Sequence, residues 1–270
     1  MVIHQSTLTI FGRQFGVYGF LMVFGFALAL VLALPKIKKY GLKASEIFFS
    51  GCFAIVGGIL GAKLLAIICY LPAIVHNPKL LLSFLTGGYV FYGGLIGGAG
   101  MLVLYCKIFK VSIAKYFDLF APGAALGHAF GRVGCLISGC CHGMVTSGGF
   151  YIIYENPVSS ATPTGVPLFP VQLLEIICLV SIFVTSEIIF YTTKRAGNTA
   201  LFYALSYCIA RFILEFLRGD AERGVFLGVS TSQYISFAIF LLCYVVILRR
   251  LLEHYGRLPQ KRKKIINQER

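Results

Sequence analysis

The stretch GVYGFLMVFGFALALVLAL, residues 16–34, carries no charged side chain over a length close to the ~20 residues that a helix needs to cross a bilayer. Six further apolar stretches follow, roughly over 45–71, 81–105, 117–137, 170–192, 198–217 and 231–248. The chain of 270 residues is 58% hydrophobic and 13% charged, with a mean hydropathy of +0.84, too little polar surface to coat a soluble globule. Alternation with a period of two residues is absent, which argues against a membrane β-barrel. The fold class expected is therefore all-α: a polytopic membrane helix bundle of about seven transmembrane helices. The head before the first stretch has only Arg13 and no small-residue cleavage pattern, so this helix is expected to be retained rather than removed as a signal.

The formal net charge of +14 has a cause other than nucleic acid, because the basic residues sort by membrane side. Lys36, Lys38, Lys39 and Lys43 lie between the first two stretches, Lys107, Lys110 and Lys115 between the third and fourth, and Lys194 and Arg195 between the fifth and sixth. The tail adds Arg249, Arg250, Arg257, Lys261, Arg262, Lys263, Lys264 and Arg270, so that seventeen of 24 Lys and Arg residues fall on one side. The positive-inside rule then places the N-terminus outside and the C-terminus in the cytoplasm. The connection at about 138–169 has no Lys or Arg and is expected to be an external loop or small cap. No soluble domain separates out. One membrane domain over 1–270 is expected, with a basic tail at about 249–270 against the anionic inner leaflet.

Glycines four apart at Gly57 and Gly61, Gly93 and Gly97, Gly94 and Gly98, and Gly123, Gly127 and Gly131 are the spacing that lets helix backbones approach closely in lipid. Ionisable groups within spans are costly and hence functional candidates. Tyr207, Arg211, Glu215 and Arg218 of the sixth stretch sit at i, i+4, i+8 and i+11, one helical face. Glu215 alone against Arg211 and Arg218 leaves positive charge over. His128, Arg132 and Cys135 share a face of the fourth stretch, and Gln172 and Glu175 open the fifth. Arg132 with Arg211 presents two planar forks to one anionic group, and an anion at membrane depth points to a phospholipid headgroup. Lys63 and Glu187 read as interfacial anchors.

Six of the nine cysteines stand alone in or near spans, where a thiol packs as a small hydrophobe. In GRVGCLISGCCHG (131–143), by contrast, Cys135, Cys140, Cys141 and His142 gather at the end of the fourth stretch. This spacing is open to three readings: packing or a disulfide, direct involvement in chemistry, or a metal whose identity the spacing leaves unknown.

These segments resemble the prolipoprotein diacylglyceryl transferase family of bacterial inner-membrane enzymes. GRVGCLISGCCHG is similar to the family's Gly-Arg-x-Gly-Asn segment that ends in Asn-Gly-Glu-x-x-Gly. FYGGLIGG (91–98) resembles its His-Gly-Gly segment, DLFAPGAALG (118–127) its Asp-x-x-Ala-Pro lead-in, FPVQLLE (169–175) its His-Pro-x-Gln-Leu-x-Glu, and RFILEFLRGD (211–220) its Arg-x-x-x-Glu-x-x-Arg-x-x-Asp. The Tyr18-Gly19 pair at the first span agrees as well. Among its departures are Tyr92 for the usual His, Cys135 for Asn and Cys140 for Glu.

The resemblance implies transfer of the diacylglyceryl group from phosphatidylglycerol to the lipobox cysteine of a prolipoprotein, in a multi-pass protein of the bacterial plasma (inner) membrane. Partners would be phosphatidylglycerol, membrane lipid and the prolipoprotein signal peptide, without nucleic acid and without a cofactor. It implies catalytic roles for Arg132, Arg211, Tyr92 and Glu215, and substrate contacts by Arg132, Arg211, Arg218, Tyr207, Gln172, Glu175, Gly93 and Gly94. His128 is a conceivable substitute base. Two rivals stay open: a divergent lipid or thiol transferase, or thiol-redox protein, using Cys135, Cys140 and Cys141, and a small transporter, against which stands the lack of an inverted repeat.

Overall fold

The computed structural model describes residues 2–3, 7–10, 13–77, 81–82, 89–158, 162–220 and 225–268. Seven long helices are among them: α1 (Val17–Ala33), α2 (Ala44–Cys69), α3 (Phe91–Ile108), α4 (Ile113–Ser138), α5 (Val171–Thr192), α6 (Asn198–Leu214) and α7 (Thr231–Gln268). They coincide with the seven apolar stretches, because in hydrocarbon a helix is what satisfies every backbone polar group within one segment. Five have the length and hydropathy to cross a membrane, with Tyr92–Ile108 a shorter apolar one. In α4 the polar side chains Lys115, Asp118, His128 and Arg132 interrupt the apolar run, and Pro122 stands inside the helix. The third helix was expected from about 81 but starts at Phe91; residues 83–88 and Arg270 lie outside the described residues.

The backbone divides into two compact units. One comprises Met1–Gly25, Ala125–Ile188 and Leu201–Arg270, the other Phe26–Ala124 and Ile189–Ala200.

In the second unit the glycine stripes do what their spacing suggests. Gly57 and Gly61 of α2 lie so near Gly97 and Gly93 of α3 that a Cβ on any of them would strike the opposite backbone carbonyl, and the Val90 amide reaches Ala62 O at 3.2 Å. Ala33, Ile47, Leu102, Tyr105, Cys106, Tyr116 and Leu119 form the core beside this contact. Asp118, 1% exposed, accepts hydrogen bonds from the Gly197 amide (2.6 Å), the Ala200 amide (2.8 Å) and the Tyr40 hydroxyl (3.0 Å). It thus satisfies donors at the start of α6 that no helical carbonyl reaches. Lys63 carries its ammonium 4.3 Å from the Tyr89 ring centroid, a cation–π contact rather than a bare charge in lipid.

In the first unit Gly25 of α1 meets Gly127 of α4 backbone to backbone, Tyr18 packs on Gly134, and the Phe24 and Phe130 rings cross edge to face at 5.0 Å. Residues after α4 form a small cap rather than a featureless loop. Val145 and Ile152 both bridge to Leu168, the pair Val2–Ile3 runs parallel to Ile153–Tyr154, and Ile152, Tyr154 and Leu168 are buried as a core of their own. Two hairpin-like pairs, Thr7–Ile10 with Arg13–Gly16 and Val225–Phe226 with Val229–Ser230, complete the described strands.

Candidate active site

The polar residues of three helices and one cap converge within the first unit. Helix α4 supplies His128, Arg132 and Cys135 from one face, as the i, i+4, i+7 spacing requires. It stops at Gly139, which takes a left-handed conformation (φ 81°) that a side chain would strain. Pro170 precedes α5, whose first turns carry Gln172 and Glu175, each 1% exposed.

Glu175 is the hub. Its Oε1 lies 2.9 Å from Arg132 Nε and accepts the Tyr207 hydroxyl at 2.9 Å, while its Oε2 is 4.0 Å from Arg218 Nη1. The Arg132 contact is an ion pair without the direction of a hydrogen bond, since the Nε–H has no acceptor in line. Tyr207 also meets His128, with Nε2 3.4 Å from the hydroxyl and ring centroids 4.7 Å apart.

The stripe expected along one continuous sixth helix is broken. Helix α6 ends at Leu214, Glu215–Leu217 form a 3-10 turn, and Arg218 is extended (φ −85°, ψ 140°). The reason is competition for the backbone: Arg218 bridges to Gly143, the Gly219 amide donates to His142 O at 3.1 Å, and the Met144 amide donates to Leu217 O at 3.1 Å. Arg211, still helical, pairs with Glu215 at 2.5 Å and donates to Ser232 Oγ at 3.0 Å. Arg218 forms a two-pronged pair with Asp220, both bonds 2.9 Å. Burial raises the Asp220 carboxyl above its ordinary pKa although Arg218 opposes the shift.

The surplus of positive charge inferred from the sixth stretch alone is thereby corrected. Arg132, Arg211 and Arg218 face Glu175, Glu215 and Asp220, three charges against three. What remains over is hydrogen-bonding capacity: Arg211 Nη1 is a buried donor with no acceptor and Arg218 Nη1 has only the distant Glu175 Oε2 at 4.0 Å, whereas Arg132 Nε is already against Glu175 Oε1. Such groups carry a desolvation cost of about 1–3 kcal/mol each, more when charged, that an entering oxyanion would remove.

Beside the arginines lie the thiols. Cys135, Cys140 and Cys141 place their Sγ atoms within 4.8 Å of one another, and none of the nine cysteines is disulfide-bonded. Arg132 Nη1 is 3.9 Å from Cys135 Sγ. Gln172 Nε2 holds the Cys140 carbonyl at 3.0 Å, and Thr162 Oγ1 holds that of Gly139 at 3.0 Å. Hydrogen bonds from the Cys135 and Cys140 thiols, with the Arg218 and Arg132 charges behind them, push the Cys141 thiol below its ordinary pKa, while the same hydrogen bonding pushes Cys140 up. His142, grouped with these thiols in the sequence, turns instead into the cap, with Nδ1 2.9 Å from Gly143 O.

A sequence model of the family described as prolipoprotein diacylglyceryl transferase matches residues 5–249, nearly the whole chain. The chain belongs to the prolipoprotein diacylglyceryl transferase family. It is 36% identical over 253 residues to phosphatidylglycerol–prolipoprotein diacylglyceryl transferase 2 of Clostridium perfringens, covering 92% of this chain and 95% of that one. It is also 36% identical over 229 residues to the phosphatidylglycerol–prolipoprotein diacylglyceryl transferase of Clostridium tetani (84% and 90% covered), and 31% identical over 226 residues to that of Dehalococcoides mccartyi (83% and 85% covered).

Of the residues that the resemblance marks in this diacylglyceryl transferase family member, the structure gathers Arg132, Arg211, Arg218, Glu175, Glu215, Gln172, Tyr207, His128 and the three cysteines in the first unit. Tyr92, Gly93 and Gly94 belong to the second unit, where Gly93 packs on Gly61 and Leu65. Sequence reading missed Asp220 as the partner of Arg218, Ser232 as that of Arg211, and Tyr154, whose hydroxyl is 3.5 Å from Gln172 Nε2. Asp220 was visible two residues after Arg218. Ser232 sits in a Ser230–Gln233 capping box, in which the Ser230 amide donates to Gln233 Oε1 (3.1 Å) and the Gln233 amide to Ser230 Oγ (3.2 Å). That signature marks a helix start and nothing about Arg211.

Proposed function

We propose that this protein transfers the diacylglyceryl group of phosphatidylglycerol to the cysteine thiol of a prolipoprotein signal peptide, acting as a multi-pass enzyme of the bacterial plasma membrane with its N-terminus outside. The observation that carries this is the buried cluster of Arg132, Arg211 and Arg218, in which Nη1 of Arg211 and of Arg218 still lacks a hydrogen-bond acceptor after the three carboxylates are engaged. A neutral ion-pair network with spare N–H groups suits one phosphodiester, and the relatives' names supply its chemistry.

In this reading Arg132 and Arg211 hold the phosphodiester oxygens and stabilise the charge that grows on them as the glyceryl C–O bond breaks. Glu215 orients Arg211, Glu175 orients Arg132 and Tyr207, and Arg218 closes the same network. The acceptor sulfur forms the new C–S bond, glycerol phosphate departs, and the thiol proton ends on the released phosphate. Gln172 holds the cap over the site through Cys140 O, and Gly93 and Gly94 shape the packing of α3. Tyr92 stands at the family's histidine position. A phenol titrates at about 10 in simple peptides against ~6.5 for imidazole, so the exchange removes a ready proton acceptor.

The test is direct. Purified protein, phosphatidylglycerol and a lipobox peptide should yield a thioether-linked diacylglyceryl peptide by mass spectrometry, and Arg132→Ala should abolish it. Turnover retained by Arg132→Ala, or no adduct from the intact protein, would refute the proposal.

A further inference from the structure

We infer that Cys135, Cys140 and Cys141 form a three-thiolate zinc site whose open fourth position takes the acceptor cysteine of the incoming peptide. This rests on the transfer reading above and answers the question that it leaves, namely what turns the acceptor thiol into a thiolate.

Geometry comes first. A tetrahedral zinc with Zn–S distances of ~2.3 Å sets its sulfurs about 3.8 Å apart. The three Sγ atoms already lie within 4.8 Å of one another, so closure around an ion needs side-chain shifts of about 1 Å or less. The backbone that brings them together is held from outside. Cys135 lies in the last turn of α4, Gly139 turns the chain, and Cys141 itself adopts a left-handed conformation (φ 59°) that costs a non-glycine residue about 1–2 kcal/mol. Bonds from Thr162 to Gly139 O, from Gln172 to Cys140 O and from the Gly219 amide to His142 O clamp the three carbonyls around it. Strain held by such supports is characteristic of functional positions.

Donor chemistry comes second. Thiolates select soft or borderline ions, and three protein ligands with an open position are the pattern of a catalytic rather than a structural zinc. Zinc with three thiolates has a net charge of −1, and the Arg132 guanidinium, which Glu175 also faces, stands 3.9 Å from Cys135 Sγ.

Bases free to take the acceptor proton are scarce at this site. Among the described residues near the arginines, Glu175 is engaged by Arg132 and Tyr207, Glu215 by Arg211, Asp220 by Arg218, and His128 by Tyr207. A Lewis acid removes the need for one, because a coordinated thiol is held as the thiolate.

The step balances without any redox partner. The acceptor R–SH binds zinc through sulfur and gives up its proton. A sulfur lone pair attacks the glyceryl carbon of phosphatidylglycerol, the C–S bond forms, and the C–O bond to phosphorus breaks with its electrons on oxygen. The glycerol phosphate so released takes up the proton, and the thioether, a weaker ligand, leaves the metal.

The experiment uses the full-length protein in detergent micelles containing phosphatidylglycerol. Elemental analysis should find about one zinc per chain in the wild type, unchanged in Cys69→Ser, whose thiol is exposed at the end of α2, and lost in Cys140→Ser/Cys141→Ser. Size-exclusion elution and thermal unfolding check that the double variant folds. A measurement that needs no variant guards against misfolding: in the wild type, three additional thiols should react with a disulfide reagent only after a zinc chelator is added. With cobalt in place of zinc, a lipobox peptide should shift the visible d–d bands and a Cys→Ser peptide should not. A free thiol of pKa about 8.5 is only ~3% thiolate at pH 7, so stripping the metal should slow transfer by up to about 30-fold, with recovery on adding zinc.

Metal-free protein that transfers at the full rate, or an intramolecular disulfide among the three cysteines, overturns the zinc inference and leaves the transfer reading standing. Cobalt bands that ignore the peptide overturn the acceptor role. Bound zinc with peptide-sensitive bands but no thioether product supports the site and overturns the transfer reading instead.

Discussion

Glu175→Gln tests most of the site's logic in one substitution, because a single carboxylate with 2% of its side chain exposed holds Arg132, Tyr207 and, at longer range, Arg218. The glutamine keeps the shape and can still accept the Tyr207 hydroxyl through its amide oxygen, but it removes the charge that offsets Arg132. Deleting one partner of a buried pair costs about 3–5 kcal/mol, and the retained hydrogen bond returns about 1, so a net loss of about 2–4 kcal/mol is expected. Arg132 would no longer be held in place, and a displacement of ~1 Å at a substrate-positioning group lowers the rate by about 100-fold. The measurements are thioether formation from phosphatidylglycerol and a lipobox peptide, and equilibrium unfolding in mixed micelles, for Glu175→Gln, Arg132→Gln and the double variant. If the pair acts as a unit, the double variant should be no less stable than the worse single one, with a coupling of about 2 kcal/mol or more. Additivity within about 0.5 kcal/mol, or a Glu175→Gln enzyme within threefold of the wild-type rate, would refute the reasoning.

Other consequences are open to the same assays. Arg132→Lys keeps the charge but loses the planar fork beside the phosphate, and a fall in rate of about 100-fold is expected; wild-type turnover by the lysine variant would show that charge alone suffices. Asp118→Ala strips Gly197, Ala200 and Tyr40 of a buried acceptor and should cost about 3 kcal/mol of stability by unfolding in micelles, with Asp118→Asn milder since its amide oxygen still accepts. Gly97→Val drives a side chain into the backbone of α2 at Gly57 and Gly61, so a loss of about 3 kcal/mol is expected, whereas Gly100→Ala, with open space where its Cβ would stand, should not lower stability. Asp220→Asn removes the negative partner of Arg218, and the thiol-reactivity profile of Cys141, which the Arg218 charge also faces, should shift with it; an unchanged profile would show that Arg218 and the thiols are independent.

The membrane class, the helices, the family and the candidacy of Arg132, Arg211, Arg218, Glu175 and Glu215 as polar groups within or at the ends of the apolar stretches were legible in the sequence. Hydropathy is a sum over neighbouring residues, so a span such as 16–34 declares itself without knowledge of the fold, and glycines four apart on α2 and α3 declare a packing face for the same local reason. The ionic state of the site was not legible, because it depends on groups far apart in the chain. Tyr207 and Glu175 are 32 residues apart, and Tyr207 and His128 79. Only the tertiary structure showed that Glu175 and Asp220 neutralise Arg132 and Arg218, so that the site offers spare donors rather than spare charge. Only it showed the stripe from Tyr207 to Arg218 breaking after Leu214, where a bridge to Gly143 of the cap takes the backbone of Arg218 from the helix. The cysteines make the same point. Spacing put His142 beside them, yet a left-handed Cys141 and the pull of Gly143 O turned the imidazole away and left three sulfurs together.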